Sequence, residues 1–190
     1  MDIAKIKELR KTTGVGIANC KRALDKADGD LEGAKKILNA LGHYMMENRS
    51  LRGASHGFIS TYIHHNRQVG AMVEVCCETD FAVTVLRQFG KDLCMQIAAT
   101  NPEFIGEDEI PHERLEEETK RAMCEDNRKA CKFSERMLSG KIRKFKIERC
   151  LLLQKSVRDS IVTVGDLLAQ KIVELGENIV IKRFCRFQVE

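Results

Sequence analysis

The sequence predicts an α+β fold in which a helical segment precedes a small antiparallel sheet packed with helices. Residues 1–42 repeat apolar side chains at helical spacing, whereas residues 57–77 alternate like a pair of strands. A last alternating run, residues 179–189, follows a long stretch of helical pattern. Strands that lie far apart in the chain with helices between them are typical of an α+β domain.

Residues 1–42 are predicted to form three short helices, which can close a small separate core. The first helix carries apolar residues at three-residue intervals and is followed by the turn Thr13–Gly16, where two glycines interrupt the pattern. The second helix ends near Gly29, and Asp30 supplies an N-cap for the third. We expect Gly42 to end the third helix, because glycine is common just past a helix C-terminus.

Residues 43–56 are polar and irregular, and we expect a linker there, followed by a core that spans residues 57–190. The core begins with a hairpin whose strands are Gly57–His65 and Val69–Cys77. The second strand alternates regularly, which predicts one apolar face. The pattern then predicts a helix over Phe81–Thr100.

The rest of the core is predicted to contain three more helical segments. Charged residues at i, i+4 spacing predict an exposed helix over residues 113–125. Residues 134–153 predict a second helical stretch with a break at Ser139–Gly140. Thr163 can cap a third helix, which Gly176 ends.

The closing strand, Ile179–Val189, is predicted to bury one face. In a regular strand the mostly apolar face consists of Ile179, Ile181, Arg183, Cys185, Phe187 and Val189. The other face carries Lys182, Arg186 and Gln188, and we expect it to be the solvent side. Cys185 is therefore predicted to point toward the subunit core, as a small buried hydrophobe, or toward a partner surface.

Composition argues against several classes of protein. The net charge is +4, from 32 basic and 28 acidic residues, which is too mild for the basic surface of a nucleic-acid-binding protein. No apolar run approaches the ~20 residues that span a bilayer, and the N-terminus lacks the basic-then-apolar layout of a secretory signal. We therefore expect a cytoplasmic protein with no membrane contact and no direct nucleic-acid partner.

The chain has eight cysteines, but their spacing does not indicate a metal site. It lacks any C-x-x-C pair, the close spacing that zinc sites usually show. A catalytic thiolate at Cys76 or Cys77 is disfavoured, because the neighbouring Glu74 and Glu78 would raise its pKa. We expect structural thiols, and neither a metal nor another cofactor.

Two segments carry a resemblance to a known family. Residues 7–24 read KELRKTTGVGIANCKRAL, and residues 74–81 read EVCCETDF. Both resemble signature segments of the elongation factor Ts family. Further segments are similar to that family in the same order, namely residues 60–66, 137–145, 148–154, 162–164, 176–179 and 183–187. The resemblance covers nearly the whole chain.

The resemblance implies both a function and a site. It implies an N-terminal three-helix domain of the ubiquitin-associated type, in a protein that is not an enzyme. Such a protein is a guanine-nucleotide exchange factor that binds elongation factor Tu and promotes release of GDP during translation elongation. The partner contacts that it implies are Thr13, Gly14, Val15 and Gly16 in the first turn, and Thr79, Asp80 and Phe81 in the second segment. In the family, the Asp-Phe pair enters the G domain of the partner.

Plainer interpretations of the same residues stay open. Thr79 or Asp80 could simply cap the following helix, and Phe81 could be a core residue of its first turn. The family usually has a basic residue where this chain has Thr84, which leaves the start of that helix open. A cluster of cations could contact RNA phosphates or form a solvated helix face, and it consists of Lys141, Arg143, Lys144, Lys146 and Arg149.

The resemblance also implies an assembly. The chain is expected to lack the second core half that longer members contain, and short members assemble as two-fold homodimers. A dimer implies a complex of two copies with two molecules of elongation factor Tu. Cys185 is then a possible dimer contact, and near a two-fold axis it could cross-link to its own copy.

Overall fold

The computed structural model describes residues 2–48, 53–127 and 135–190. Three helices come first, followed by a hairpin, four more helices and a closing strand. In chain order these elements are α1 (Ile3–Thr13), α2 (Ile17–Lys26), α3 (Leu31–Glu47), β1 (His56–Ile63), β2 (Val69–Cys77), α4 (Asp80–Thr100), α5 (His112–Asn127), α6 (Glu135–Arg149), α7 (Val164–Leu175) and β3 (Val180–Gln188). The predicted α+β class is confirmed.

The three N-terminal helices form where the sequence predicts them and enclose a small core. The Asp30 carboxylate accepts hydrogen bonds from the backbone N–H groups of Glu32 and Gly33, which caps α3. Gly14 ends α1 with a φ of +70°, a conformation that favours glycine. The buried side chains between these helices are Ile6, Leu9, Val15, Cys20, Ala23, Leu24, Ala34 and Leu38.

The predicted end of α3 at Gly42 is wrong, because the helix continues to Glu47. Gly42 lies in the middle of the helix against α7. A Cβ atom at this position would lie 2.4 Å from the carbonyl oxygen of Ala169, so the missing side chain lets the two helices approach each other closely. The start of the predicted linker is therefore helical, and β1 already begins at His56. Residues 49–52 of that linker lie outside the described residues.

Polar contacts join α3 to α7 as well. Asn39 Nδ2 donates to Asp166 Oδ1 over 2.9 Å, and His43 Nε2 lies 2.8 Å from the same oxygen. Burial alone would raise the pKa of Asp166, but hydrogen bonds from Asn39, His43 and Thr163 hold it well below its ordinary value. Val173 of α7 also completes the small N-terminal core. Contacts between α3 and α7 therefore cross the predicted boundary after residue 42.

Gly42→Ala is expected to lower the free energy of unfolding by about 1–3 kcal/mol, because the new methyl group overlaps the backbone of α7. The matched control is Gly140→Ala in α6, where an added Cβ meets no described atom within 4 Å. That control should stabilise the protein by about 0.5–1 kcal/mol, since alanine favours helix more than glycine does. Urea unfolding of both variants measures the difference. Equal stability of the two variants would contradict the close approach of α3 and α7.

The sheet has the order β1-β2-β3, and both pairs of neighbouring strands are antiparallel. Helix α4 packs on one face, where Val73, Val75 and Cys77 of β2 are fully buried. Helix α7 closes the same core, capped by Thr163 and ended by Gly176 as predicted. The sheet is thus held from one side.

A β-bulge in β3 overturns the predicted faces of that strand. Glu74 pairs with Arg183 while Val75 pairs with Ile181, so Lys182 is an extra residue and the alternation reverses beyond it. Ile181 is buried, but Cys185 is exposed on the face away from α4. Arg186, predicted to face solvent, instead donates from Nε to the carbonyl oxygen of Ala98 in α4 over 3.0 Å.

Helices α5 and α6 pair with each other and join the rest through a third small core. Phe145 and Cys150 are buried there with Ile110. The predicted break at Ser139–Gly140 is wrong, because α6 runs through both residues. A glycine in a helix is about 1 kcal/mol less favourable than alanine, which is too little to end α6 at Gly140. Ser134, the predicted start of this stretch, lies outside the described residues.

Candidate functional site

The junction of β2 and α4 presents an aromatic side chain to solvent. The Thr79 hydroxyl accepts from the backbone N–H of Ala82 over 3.3 Å, so Thr79 is the N-cap and α4 begins at Asp80. Ala82 is fully buried, whereas the side chain of the preceding residue, Phe81, is 70% exposed. Phe81 is therefore not a core residue of the first turn. An apolar ring at the exposed tip of a capped helix is suited to enter a partner surface.

Asp80 lies in the first turn of α4, close to a histidine that the sequence did not single out. Its Oδ1 atom is 2.9 Å from Nδ1 of His56 at the start of β1. The Asp80 side chain is 89% exposed, so a partner can reach it. The pairing follows from the antiparallel hairpin, in which His56 is opposite Cys77, three residues before Asp80.

The turn between α1 and α2 exposes backbone rather than side chains. The Thr13 hydroxyl donates to the carbonyl oxygen of Leu9 over 2.7 Å, which closes the end of α1. Val15 is only 3% exposed and belongs to the small N-terminal core. Gly16 is exposed, and an added Cβ there would meet no described atom within 4 Å. Of the four residues in this turn that are predicted to bind a partner, Val15 is thus buried beneath the turn and anchors it to the N-terminal core.

Both predicted segments lie at the same end of α7. A Cβ on Gly14 would approach the side chain of Glu174, near the end of α7, to 2.9 Å. Glu177, two residues after that helix ends, accepts a hydrogen bond of 2.6 Å from the Thr79 hydroxyl. The structure therefore places both segments beside the end of α7, although they are far apart in sequence. Sequence reasoning missed Glu174 and Glu177, although Gly176 marked a turn between them.

The basic cluster of α6 is largely occupied by neighbouring groups. Lys146 pairs with Glu107 at 2.6 Å, and Lys144 pairs with Glu148 at 3.8 Å. Arg149 pairs with Glu103, and Lys141 donates to the carbonyl oxygen of Ala122. Cations that already contact carboxylates on their own chain are less able to neutralise phosphates. The arrangement favours the solvated helix face over an RNA site.

Cys76 and Cys77 have the character of structural thiols rather than reactive ones. Burial raises the pKa of Cys76, and Glu74 raises it further, while Lys182 lowers it. Burial likewise raises the pKa of Cys77, with Glu177 adding to the effect. Within the described part of the chain, no group of three or more potential ligands could hold a metal ion. Nor does any described helix combine the length and apolar character that crossing a membrane requires.

Comparison with known proteins identifies the family. A family profile described as Elongation factor TS matches residues 32–190. Elongation factor Ts of Caldanaerobacter subterraneus subsp. tengcongensis is 44% identical over 187 residues, which covers 96% of this chain and 94% of that protein. Elongation factor Ts of Carboxydothermus hydrogenoformans is 40% identical, covering 97% and 87%. Elongation factor Ts of Methylacidiphilum infernorum is 37% identical, covering 100% and 95%. The chain belongs to the elongation factor Ts family.

Proposed function

We propose that this chain binds elongation factor Tu and promotes the release of its GDP during translation elongation. It is an exchange factor that acts on a partner GTPase and carries out no reaction of its own. Family membership supports the function, and the exposed Phe81 at the tip of α4 is the observation that supports the site. The chain would work in the cytoplasm, where translation takes place.

An exchange factor has to loosen a nucleotide without breaking a bond. The partner holds GDP through Mg²⁺ and through the backbone amides of a P-loop. The exchange factor binds the nucleotide-free or distorted form more tightly than the GDP form, and this difference in affinity drives GDP out. By the same linkage, GDP weakens the binding of the exchange factor.

The exposure of Asp80, Phe81 and the first turn supports the roles that the family resemblance implies for them. Phe81 would wedge between helices of the G domain, while the exposed Asp80 carboxylate disturbs the Mg²⁺ side. The turn Thr13–Gly16 would dock on the same domain, where Gly16 lets the partner backbone approach closely. Both segments adjoin the end of α7, so a single partner surface can contact them together.

The chain is proposed to divide its work between a docking unit and a core. The docking unit consists of the helices within residues 1–42, and the core of residues 57–190 supplies the Asp80–Phe81 tip and the dimer surface. Because α3 extends to Glu47 and packs on α7, the docking turn is held firmly against the core. The segment between helix α3 and strand β1 would only connect the two parts.

Size-exclusion chromatography tests the partner assignment. The purified chain should co-elute with nucleotide-free elongation factor Tu, and a large excess of GDP should separate the two proteins. A complex that forms equally well with GDP-saturated partner would contradict the exchange function, because equal affinity for both states shifts no equilibrium.

A homodimer is proposed to form through the sheet face that points away from α4. The register places a set of exposed, mostly apolar side chains from all three strands on this face: Ile59, Ile63, Met72, Cys185 and Phe187. An exposed apolar patch of this kind marks an interaction surface, and an isologous contact of two such sheets would cover it in both copies. The complex with elongation factor Tu would then contain two copies of each protein.

Cys185 provides a test of this dimer without a change of charge. It is an exposed free thiol directly opposite Met72 of the central strand. A disulfide requires that the two Cα atoms lie within about 7 Å of each other. If the two-fold axis passes close to Cys185, the two copies meet this condition, and mild oxidation of wild type should produce a covalent dimer. Non-reducing gel electrophoresis should show this band for wild type and lose it for Cys185→Ser. A band that persists in the variant would rule out the cross-link.

A further inference from the structure

Reciprocal hydrogen bonds join the turn before α4, at Glu78 and Thr79, to the turn after α7, at Glu177 and Asn178. We call this contact the clasp. The Glu177 carboxylate, after α7, accepts from the backbone N–H of Thr79 over 3.2 Å and from its hydroxyl over 2.6 Å. In return, the Glu78 carboxylate accepts from the backbone N–H of Asn178 over 3.0 Å. The contacts join residues about 100 positions apart in the chain. They lie immediately before the Asp80–Phe81 tip.

The Glu177 side of the clasp is anchored on a rigid part of the molecule. Gly176, with a φ of +71°, ends α7 and donates its N–H to the carbonyl oxygen of Ile172 over 2.9 Å. Asn178 is buried, and Ile179 is fully buried in the main core. The chain on both sides of Glu177 is therefore fixed by packing and backbone hydrogen bonds.

The Thr79 side of the clasp controls the start of α4. The same hydroxyl that donates to Glu177 accepts from the N–H of Ala82, so its rotamer is held by two hydrogen bonds. Phe81 is largely exposed, and its own packing therefore contributes little to its direction. The direction of the aromatic tip depends on how the cap residue before it is held.

We infer that Glu177 is a positioning residue for nucleotide exchange, which acts through Thr79 to aim Asp80 and Phe81 at the partner. This inference rests on the proposed function. A carboxylate suits the task because its two oxygens accept from the two Thr79 donors at once. Its negative charge lies near the N-terminus of α4, where it interacts favourably with the helix dipole and so stabilises a helix that begins at Asp80. The loop after α7 thus serves the exchange step from outside the predicted site.

The kinetic test is a double-mutant cycle on the rate of GDP release from elongation factor Tu. Glu177→Ala should lower the rate roughly tenfold, since even a small displacement of the side chains that contact the partner is costly. Glu177→Gln, which keeps the shape and one acceptor oxygen, should lose less. In a Phe81→Ala background, Glu177→Ala should cause a much smaller further loss, because only the contribution of Asp80 is then left to be misdirected. Additive losses would mean that Glu177 contacts the partner independently, which overturns the inference.

A matched control removes one carboxylate of the same kind elsewhere. Glu116→Gln breaks an exposed pair with Lys120 on α5 and should leave the rate of GDP release unchanged. Thermal unfolding followed by circular dichroism checks that each variant is folded. A rate lowered equally by Glu116→Gln and Glu177→Gln would point to net charge, and would overturn a positioning role.

A second readout does not depend on the partner. Amide hydrogen exchange followed by NMR should show a protected Thr79 N–H in wild type, with protection roughly tenfold lower in Glu177→Ala. An unprotected Thr79 N–H in wild type overturns the clasp itself. If Phe81→Ala lowers the rate of GDP release while Glu177→Ala leaves it at the wild-type rate, the proposed function stands and the positioning role falls. If wild type releases no GDP, the proposed function falls and takes the positioning role with it.

Discussion

Phe81→Ala should lower the rate of GDP release from elongation factor Tu roughly thirtyfold while the protein stays folded. The ring is 70% exposed at the first turn of α4, next to a helix cap, so its removal leaves no cavity in the core. Loss of an aromatic anchor from an interface typically costs about 2 kcal/mol or more, which corresponds to this factor. Stopped-flow measurement of a fluorescent GDP analogue on the partner gives the rate.

The control for this variant is Ile161→Ala. Ile161 is 88% exposed and precedes the N-terminus of α7, whereas both predicted segments adjoin the C-terminal end of that helix. Truncation there should change the rate less than twofold, because scattered surface apolar residues contribute little. Circular dichroism establishes that both variants are folded. A folded Phe81→Ala variant that releases GDP at the wild-type rate would show that the ring is not the group that enters the partner.

Met72→Glu is expected to convert the proposed homodimer to monomers. Met72 is 43% exposed on the central strand, in the middle of the face proposed to meet its copy. Near a two-fold axis, one substitution places two like charges close together in a desolvated interface, which costs several kcal/mol. Multi-angle light scattering at micromolar concentration should therefore give twice the chain mass for wild type and a single chain mass for the variant.

Ile161→Glu is the matched control for charge, since it also replaces an exposed apolar residue by glutamate. It should stay dimeric. A monomeric wild type at the same concentration would reject the dimer, and a dimeric Met72→Glu variant would move the interface to another surface. Because the Met72 side chain does not belong to the α4 side of the sheet, the monomer should keep its secondary structure.

Local signals predicted most of the fold. The N-caps Asp30 and Thr163 and the terminating Gly176 each occupy the predicted position, because caps and glycine turns depend on a few adjacent residues. Errors arose where a distant contact decides the outcome. Gly42 does not end α3, because its role is to let that helix approach Ala169 of α7. The local sequence pattern contains no information about this distant neighbour.

The bulge in β3 shows the same limit for side-chain direction. A single extra residue, Lys182, reverses the alternation, so Cys185 lies on the opposite face from Ile181 and not in the core, which was one of its two predicted positions. The candidate site, too, could be predicted only in part from the sequence. Phe81 was predicted from its motif, but the support from His56 and Glu177 depends on how the hairpin and the end of α7 fold against α4. Contacts of this kind cannot be read from sequence spacing.

The most direct test of the account is the release of GDP from purified elongation factor Tu when the purified chain is added. A fluorescent GDP analogue on the partner is chased with excess unlabelled GDP, with and without the chain. We predict that catalytic amounts of wild type accelerate release to completion, and that Phe81→Ala at the same concentration is far slower. Release at the spontaneous rate in the presence of a folded wild-type chain would contradict the central claim.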